Sequence, residues 1–150
     1  MAITQAMPTS FKVEILDGIH NFGTGVVRAT TAADTFKMAL YTSSATLDAS
    51  TTVYSSSNEV SSVNYTAGGL VLIVSTTPTS GGTTAYLSFS SPVTWSGVSF
   101  STIGALIYNS TQGNKAVAVL SFGGTQTVSG GDFNVIFPAA GSTTAILRIE

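Results

Sequence analysis

The chain contains no cysteine, which excludes disulfides, thiolate metal sites and a thiol nucleophile. Ions are scarce as well. Five Lys or Arg and seven Asp or Glu make up 8% of the 150 residues, where a soluble domain averages about 25%. Five dispersed basic residues and a net charge of −2 do not form the basic footprint of a nucleic-acid binder. Long apolar runs are also missing. Leu70 to Val74 and Ala116 to Leu120 are the longest, at five residues each, and a bilayer span needs about 20. The opening Met1 to Pro8 has neither a basic stretch nor a long apolar one, so it does not read as a signal peptide. Synthesis in the cytoplasm is the expectation.

Hydroxyls take the place of the missing ions. Serine (21) and threonine (23) supply 29% of the chain, while 43% is hydrophobic and the mean hydropathy is positive. Such a composition can pay the entropy of folding, so disorder is excluded. The length fits one domain, large enough to bury roughly 68–70% of its unfolded surface.

Periodicity predicts an all-β fold with one helix outside the pattern. Over Thr9 to Gly18, Thr9 or Ser10 is a cap, Phe11, Ile15 and Ile19 recur every four residues, and Gly18 stops the turn. After Asp34 the period changes to two. Phe36, Met38 and Leu40 alternate with Lys37, Ala39 and Tyr41, which reads as a half-buried strand. Ser43 to Ser57 reads as an ordered excursion, a length of loop that often has a contact role. Leu70 to Ser75 is apolar on both faces, the pattern of a strand covered on both sides. Further strands are expected at Ala85 to Phe89, Val93 to Trp95, Val98 to Tyr108 with a bulge or bend at Gly104, Ala116 to Phe122, Phe133 to Phe137 and Ala145 to Ile149. Ser110 to Asn114, with Gly113 where positive φ is needed, is the strongest hairpin signal. About eight strands with frequent turns and no crossover helices predict an antiparallel β-sandwich or jelly roll over residues 34–150, preceded by an N-terminal arm over 1–33.

Groups capable of chemistry are few and scattered. His20, the one histidine, has Asp17 and Ser10 as nearby candidates for a relay, but the plainer reading is a histidine near a helix C-terminus, where the dipole favours its proton. Asp34, Asp48, Glu59 and Asp132 sit alone among hydroxyls, and nothing pairs two of them as a glycosidase would require. Asp48 and Asp132 read as turn residues. The glycine pairs carry no P-loop lysine and open no helix, and no acidic run has calcium-loop spacing. No cofactor or metal is expected. Asn64-Tyr-Thr66 and Asn109-Ser-Thr111 match the glycosylation pattern, as chance allows in so hydroxyl-rich a chain. Trp95 with Tyr41, Tyr54, Tyr65, Tyr86 and Tyr108 would suit a sugar-stacking platform, although strand aromatics more often serve a core.

A surface so poor in ions is either a neutral hydroxyl skin or one covered by other copies or a scaffold, since low charge lowers the desolvation cost of such burial. Met7, Phe11, Ile15, Ile19 and Phe22 of the arm are the candidate partner contacts. If the arm were only a satellite helix, they would pack on its own sandwich instead.

Several segments resemble small structural proteins of tailed bacteriophages. They are Asp34-Thr-Phe-Lys-Met-Ala-Leu-Tyr-Thr-Ser-Ser-Ala-Thr-Leu47, Tyr65-Thr-Ala-Gly-Gly69, Gly104-Ala-Leu-Ile-Tyr-Asn109 with Lys115-Ala-Val-Ala-Val-Leu120, and Gly131-Asp-Phe133 through Phe137-Pro138. Ser10-Phe-Lys with Gly18-Ile-His-Asn-Phe22 looks like their N-terminal element. The resemblance spans nearly the whole chain and is similar to head decoration (cement) proteins. It implies β-sandwich or jelly-roll subunits, often trimeric, on the outer capsid surface, with the major capsid protein as partner and no enzymatic activity. Many weak contacts on a lattice would then add through multivalency. The competing class is a receptor- or glycan-binding module of a tail or head fibre that uses Trp95 and exposed tyrosines. A hydrolase built from the scattered carboxylates is a remote third.

Overall fold

The structure, a computed structural model, describes residues 2–8, 10, 11, 15, 18–23 and 33–149. Its elements are β1 (Phe36–Tyr41), β2 (Leu70–Leu72), β3 (Val74–Gly81), β4 (Thr84–Phe89), β5 (Val93–Asn109), β6 (Lys115–Val135) and β7 (Leu147–Ile149). They form two antiparallel sheets, one ordered β2-β1-β5-β6 and the other β3-β4-β7. No helix is delimited among the described residues. The helix expected over 9–18 falls largely on residues outside those described.

Both sheets contribute to one apolar core, the arrangement of a β-sandwich. Phe36, Met38 and Leu40 of β1, Leu87 and Phe89 of β4, Val98, Phe100 and Ile107 of β5 and Leu147 of β7 all belong to it. So do Phe11 and Phe22 of the N-terminal arm. Burying one such side chain contributes about 1.5–3 kcal/mol.

The expected strand breaks become bulges within longer strands. Val93 to Trp95 and Val98 to Tyr108 are a single strand, β5, with register shifts between Trp95 and Val98 and between Thr102 and Gly104. Ala116 to Phe122 and Phe133 onward are likewise one strand, β6, in which residues 122–125 lie opposite Ile103 alone. A glycine or proline interrupts a periodic pattern without ending the ladder when the extra residues can loop out. Gly104 marks the expected bend, and a Cβ there would sit 2.3 Å from the Leu120 carbonyl oxygen. The expected strand Leu70 to Ser75 is divided instead. Leu70–Leu72 pairs with β1, and from Val74 the chain pairs with β4 in the other sheet. Pro78 is tolerated in β3 because β3 is an edge strand. The hairpin turn falls at 110–114 with Gly113 at φ 64° and Asn114 at φ 58°.

Two burial expectations are reversed. β1 is buried on both faces: Phe36, Met38 and Leu40 face the core, and Ala39 and Tyr41 face a second apolar cluster with Leu106, Tyr108, Ala116 and Val119. That outer cluster is roofed by Ala45, Leu47, Tyr54 and Ile3. The strand expected to be covered on both sides is instead the open one, with Val71 51% and Ile73 63% exposed. Cover comes from segments remote in sequence. Ala6 exchanges backbone hydrogen bonds with Val119 at 3.1 and 2.8 Å, Thr4 N donates to Leu47 O at 2.9 Å, and Tyr54 N donates to Asn114 O at 2.9 Å. The excursion expected at Ser43 to Ser57 thus has an intramolecular contact role, as the lid of the outer face.

The junction between this lid and β1 leaves no space at Gly69. Its φ is +72°, and a Cβ would lie 1.8 Å from the Met38 carbonyl oxygen. Gly69→Ala is expected to destabilise the fold by at least about 3 kcal/mol. Gly82→Ala, also at positive φ (+62°) but with nothing within 4 Å, should cost only about 1–2 kcal/mol. Urea-unfolding midpoints of the two variants check this, and equal midpoints would contradict the close approach.

Candidate functional site

Two of the four described carboxylates are hubs of hydrogen-bond networks. Glu59 ends the lid excursion and bridges to Tyr41. Its Oε1 accepts from Tyr65 Oη at 2.6 Å and from Gly68 N at 2.8 Å, and its Oε2 accepts from Tyr54 Oη at 2.6 Å. The phenols pass the connection onward. Leu40 N donates to Tyr65 Oη at 3.0 Å, Tyr108 Oη donates to Gly68 O at 2.7 Å, and Tyr41 Oη donates to Ser55 O at 2.6 Å. The Tyr54 and Tyr108 rings stack with centroids 4.6 Å apart. Burial, reinforced by the Glu59 charge, raises all four phenols: Tyr108 is pushed up to about 12, and Tyr41, Tyr54 and Tyr65 rise further.

Asp34 is the second hub, at the entrance to β1. Its Oδ2 accepts from Asn21 N at 3.0 Å and Asn109 Nδ2 at 2.8 Å, and its Oδ1 accepts from Gln112 Nε2 at 3.1 Å. Asp34 N in turn donates to Asn21 O at 3.0 Å. Asn109, wholly buried, also reaches His20, with Nδ2 and Nδ1 3.0 Å apart. This node joins the arm, the start of β1 and the β5–β6 turn.

The remaining carboxylates are local. Asp48 Oδ1 accepts from Ser50 N at 2.7 Å and from the Ser50 hydroxyl, and these hydrogen bonds hold its carboxyl below the usual range. Asp132 Oδ1 accepts from Gly97 N at 3.2 Å across a bulge. Asp48 is a turn residue, as its sequence surroundings indicate, whereas Asp132, expected at a turn, lies within β6 because the ladder continues past the glycine pair as a bulge. Among the described residues no cluster of three His, Asp or Glu is placed to hold a metal.

Other candidate positions divide between core and surface. Of the relay imagined for His20, Ser10 Oγ is buried and makes no hydrogen bond, and Asp17 lies outside the described residues. Trp95 is 2% exposed, and its Nε1 is buried without a hydrogen-bond partner. Tyr41 and Tyr108 are buried too, while Tyr54, Tyr65 and Tyr86 are half-buried, so Trp95 offers no exposed face to a stacking platform. Of the arm residues, Phe11 and Phe22 are buried in the chain's own core, Met7 and Ile15 pack against it, and Ile19 is half-buried. Met7, Phe11, Ile15 and Phe22 therefore pack on the chain's own sandwich. Asn109 is buried, which leaves Asn64 as the exposed residue of the two glycosylation-like patterns. Asn109 and Gln112 were not legible as site residues, although an amide in the inward register at the end of an apolar strand is a signal of a buried polar node.

The described residues line several concavities, among them the following. One, of about 200 Å³, lies between the arm and the smaller sheet, lined by Phe11, His20, Phe22, Leu87 and Leu147. A second, of about 270 Å³, has Thr42, Ser43, Ser61, Ser101 and Thr125 over Phe100. A third, of about 530 Å³, is a groove between Phe122, Gln126, Phe133, Asn134 and Ile136. No described helix is long and apolar enough to cross a membrane. No protein-family model, curated protein or solved structure matches the chain.

The Glu59 node makes two measurable demands. Glu59→Ala leaves two phenols and a backbone N–H without their acceptor and is expected to cost roughly 2–3 kcal/mol in denaturant unfolding; a loss under about 0.5 kcal/mol would show the node to be idle. The raised phenols ionise near 10 in the unfolded chain but not in the folded one. Their contribution is therefore complete below pH ~10 and is lost as pH climbs through about 12. Tyrosinate absorbance at 295 nm from these four residues should appear together with unfolding above pH ~11, whereas their ionisation near pH 10 in the folded protein would refute the burial argument.

Proposed function

We propose that the chain is a structural subunit of a bacteriophage virion, a decoration or cement protein seated on the outer surface of the major capsid lattice. The observation that carries this reading is where the few ions and the stray apolar groups lie. Asp34 and Glu59 are turned to internal hydrogen bonding, while Val71, Ile73 and Ile136 stand 51%, 63% and 77% exposed on a neutral, hydroxyl-rich surface. Ile73 and Ile136 are joined by short links. Ser90 N donates to Ile73 O at 2.8 Å, and Phe137 N donates to Ser91 Oγ at 2.9 Å. Apolar side chains on an ion-poor surface can be desolvated against a neighbour at little electrostatic cost.

The remaining parts of the reading go with it: jelly-roll connectivity, a short N-terminal helix, trimeric association and location on the virion. On this reading the work is mechanical. A sandwich whose larger sheet is covered on both faces at β1 and the adjoining parts of β5 and β6 resists deformation there, and repeated weak contacts across capsid seams sum over the lattice. The absence of cysteine suits a particle that leaves the reducing cytoplasm, because nothing in it depends on redox state. The contact surface is assigned to the Ile73–Ile136 region, since Phe11 and Phe22 of the arm are buried in the chain's own core.

Quantitative mass spectrometry of purified particles should find this protein in copy numbers comparable to those of the major capsid protein; a few copies per particle, or none, would overturn the reading. Ile73→Asp with Ile136→Asp is expected to lower binding to capsids by at least about tenfold with an unchanged unfolding midpoint, each buried apolar contact being worth about 1 kcal/mol or more. Undiminished binding would move the contact elsewhere.

A further inference from the structure

The N-terminal segment begins a strand beside β6 and then leaves it. Ala6 exchanges both backbone hydrogen bonds with Val119 in an antiparallel bridge, so the N–H and C=O of Val119 point away from β5. These directions alternate along an antiparallel strand. Leu120, opposite Ala105, is turned to β5, and Ser121, opposite Gly104, is turned outward like Val119. Continuing the bridge would set Thr4 against Ser121. Thr4 N instead donates to Leu47 O at 2.9 Å, and Leu47 N donates to Ala2 O at 3.3 Å, so the segment crosses to the roof of the outer face. Among the described residues, none hydrogen-bonds to the outward N–H and C=O of Ser121. Beyond it, Gly123 to Thr127 are exposed.

The concavity of about 530 Å³ lies where this strand stops. Gln5 and Ser121 line it together with Leu120, Phe122 and Phe133, and its described lining holds no Asp, Glu, Lys or Arg. Leu120 and Phe122 pack with the sandwich core, and residues two apart on a strand share a face. In a strand added opposite Ser121, the two side chains that flank the bonded residue therefore lie over Leu120 and Phe122. We infer that this edge is a strand-addition site. It takes an extended, uncharged segment of a different polypeptide, antiparallel to β6, with apolar side chains at those two flanking positions. Main-chain hydrogen bonds supply the affinity of such a site, and the alternate side chains supply its specificity. A second copy of this chain does not fit edge to edge. Pairing Ser121 with its counterpart about a two-fold axis sets Gly123 against Val119, where Ala6 already lies, and pairing farther along runs through the bulge at 122–125. Ile136, 77% exposed, borders the same groove. Only the identity of the donor rests on the decoration reading: on that reading it is the major capsid protein.

The probe is the capped peptide Ser-Thr-Val-Ser-Val-Thr-Ser, whose central serine is placed to lie opposite Ser121. In NMR of the full chain, saturating peptide is expected to slow exchange of the Ser121 amide by at least about tenfold and to leave that of Leu120, already paired to β5, unchanged. Replacing both valines of the peptide by aspartate should abolish the effect. Ser121→Pro removes the outward donor at an edge position that tolerates proline, so it is expected to keep its unfolding midpoint and lose the peptide. Gln126→Trp, at an exposed position, fills the groove without altering the ladder and is expected to weaken binding by at least about tenfold. No protection in the unaltered protein, equal binding of the aspartate peptide, or undiminished binding by Gln126→Trp overturns the site. On purified particles, Gln126→p-benzoylphenylalanine is expected to photo-cross-link to an extended segment of the major capsid protein. A cross-link to a second copy alone, or none from a protein abundant on the particle, overturns the assigned donor. Peptide protection together with absence of the protein from particles removes the decoration reading and supports the edge site.

Discussion

Glu59 accepts on both carboxylate oxygens, and its hydrogen-bond donors are neutral: two phenols and one backbone amide. Much of the architecture depends on that arrangement. The carboxylate closes the excursion between β1 and β2 onto the sheet, and the excursion roofs Ala39, Tyr41, Leu106 and Tyr108. Without the roof, the outer face of the larger sheet would be an exposed apolar surface. At the other junction Asp34 gathers Asn21, Asn109 and Gln112. At Glu59, neutral donors satisfy the carboxylate without bringing a second ion out of water, and this avoids the desolvation that makes buried ion pairs weak stabilisers. In a chain with twelve ions, each placed carboxylate organises a large share of the polar interior.

The two hubs differ in what they fasten. The Glu59 node lies between segments tied by several backbone hydrogen bonds, among them Val60 N to Leu40 O at 2.9 Å, so its phenols are held in a rigid setting. The Asp34 node fastens an arm that also meets the sandwich through the Ala6–Val119 and Thr4–Leu47 backbone hydrogen bonds and through apolar packing by Phe11, Ile15 and Phe22 beside a cavity. A polar link over a loosely filled interface is where local opening costs least.

Much of the fold was legible in side-chain alternation. Phe36 to Tyr41, Ala85 to Phe89 and Ala116 onward occur as strands, the hairpin turn sits at 110–114, and Gly104 bends β5. Strand ends were less legible, because Gly123, Gly124, Gly130 and Gly131 look like turns in a local window while the β5–β6 ladder carries them as bulges. The carboxylates Asp34 and Glu59 could be named as candidates, but their donors could not. Tyr65 is six residues from Glu59, whereas Asn109 is 75 from Asp34, and no local pattern joins residues so far apart.

Residue chemistry alone determined that the chain is all-β, that it lacks thiol chemistry, and that hydroxyls cover a surface almost without ions. Those properties follow from composition and from a period of two, both of which are local. Which faces are covered was decided only by tertiary structure. Ala39 and Tyr41 are buried because a distant excursion and Ile3 lie over them, while Val71 and Ile73, more apolar, are exposed because their strand falls at an edge where the chain passes from one sheet to the other. Hydrophobicity states what a side chain gains by burial, and the position of its strand in the sheet determines whether anything is there to bury it.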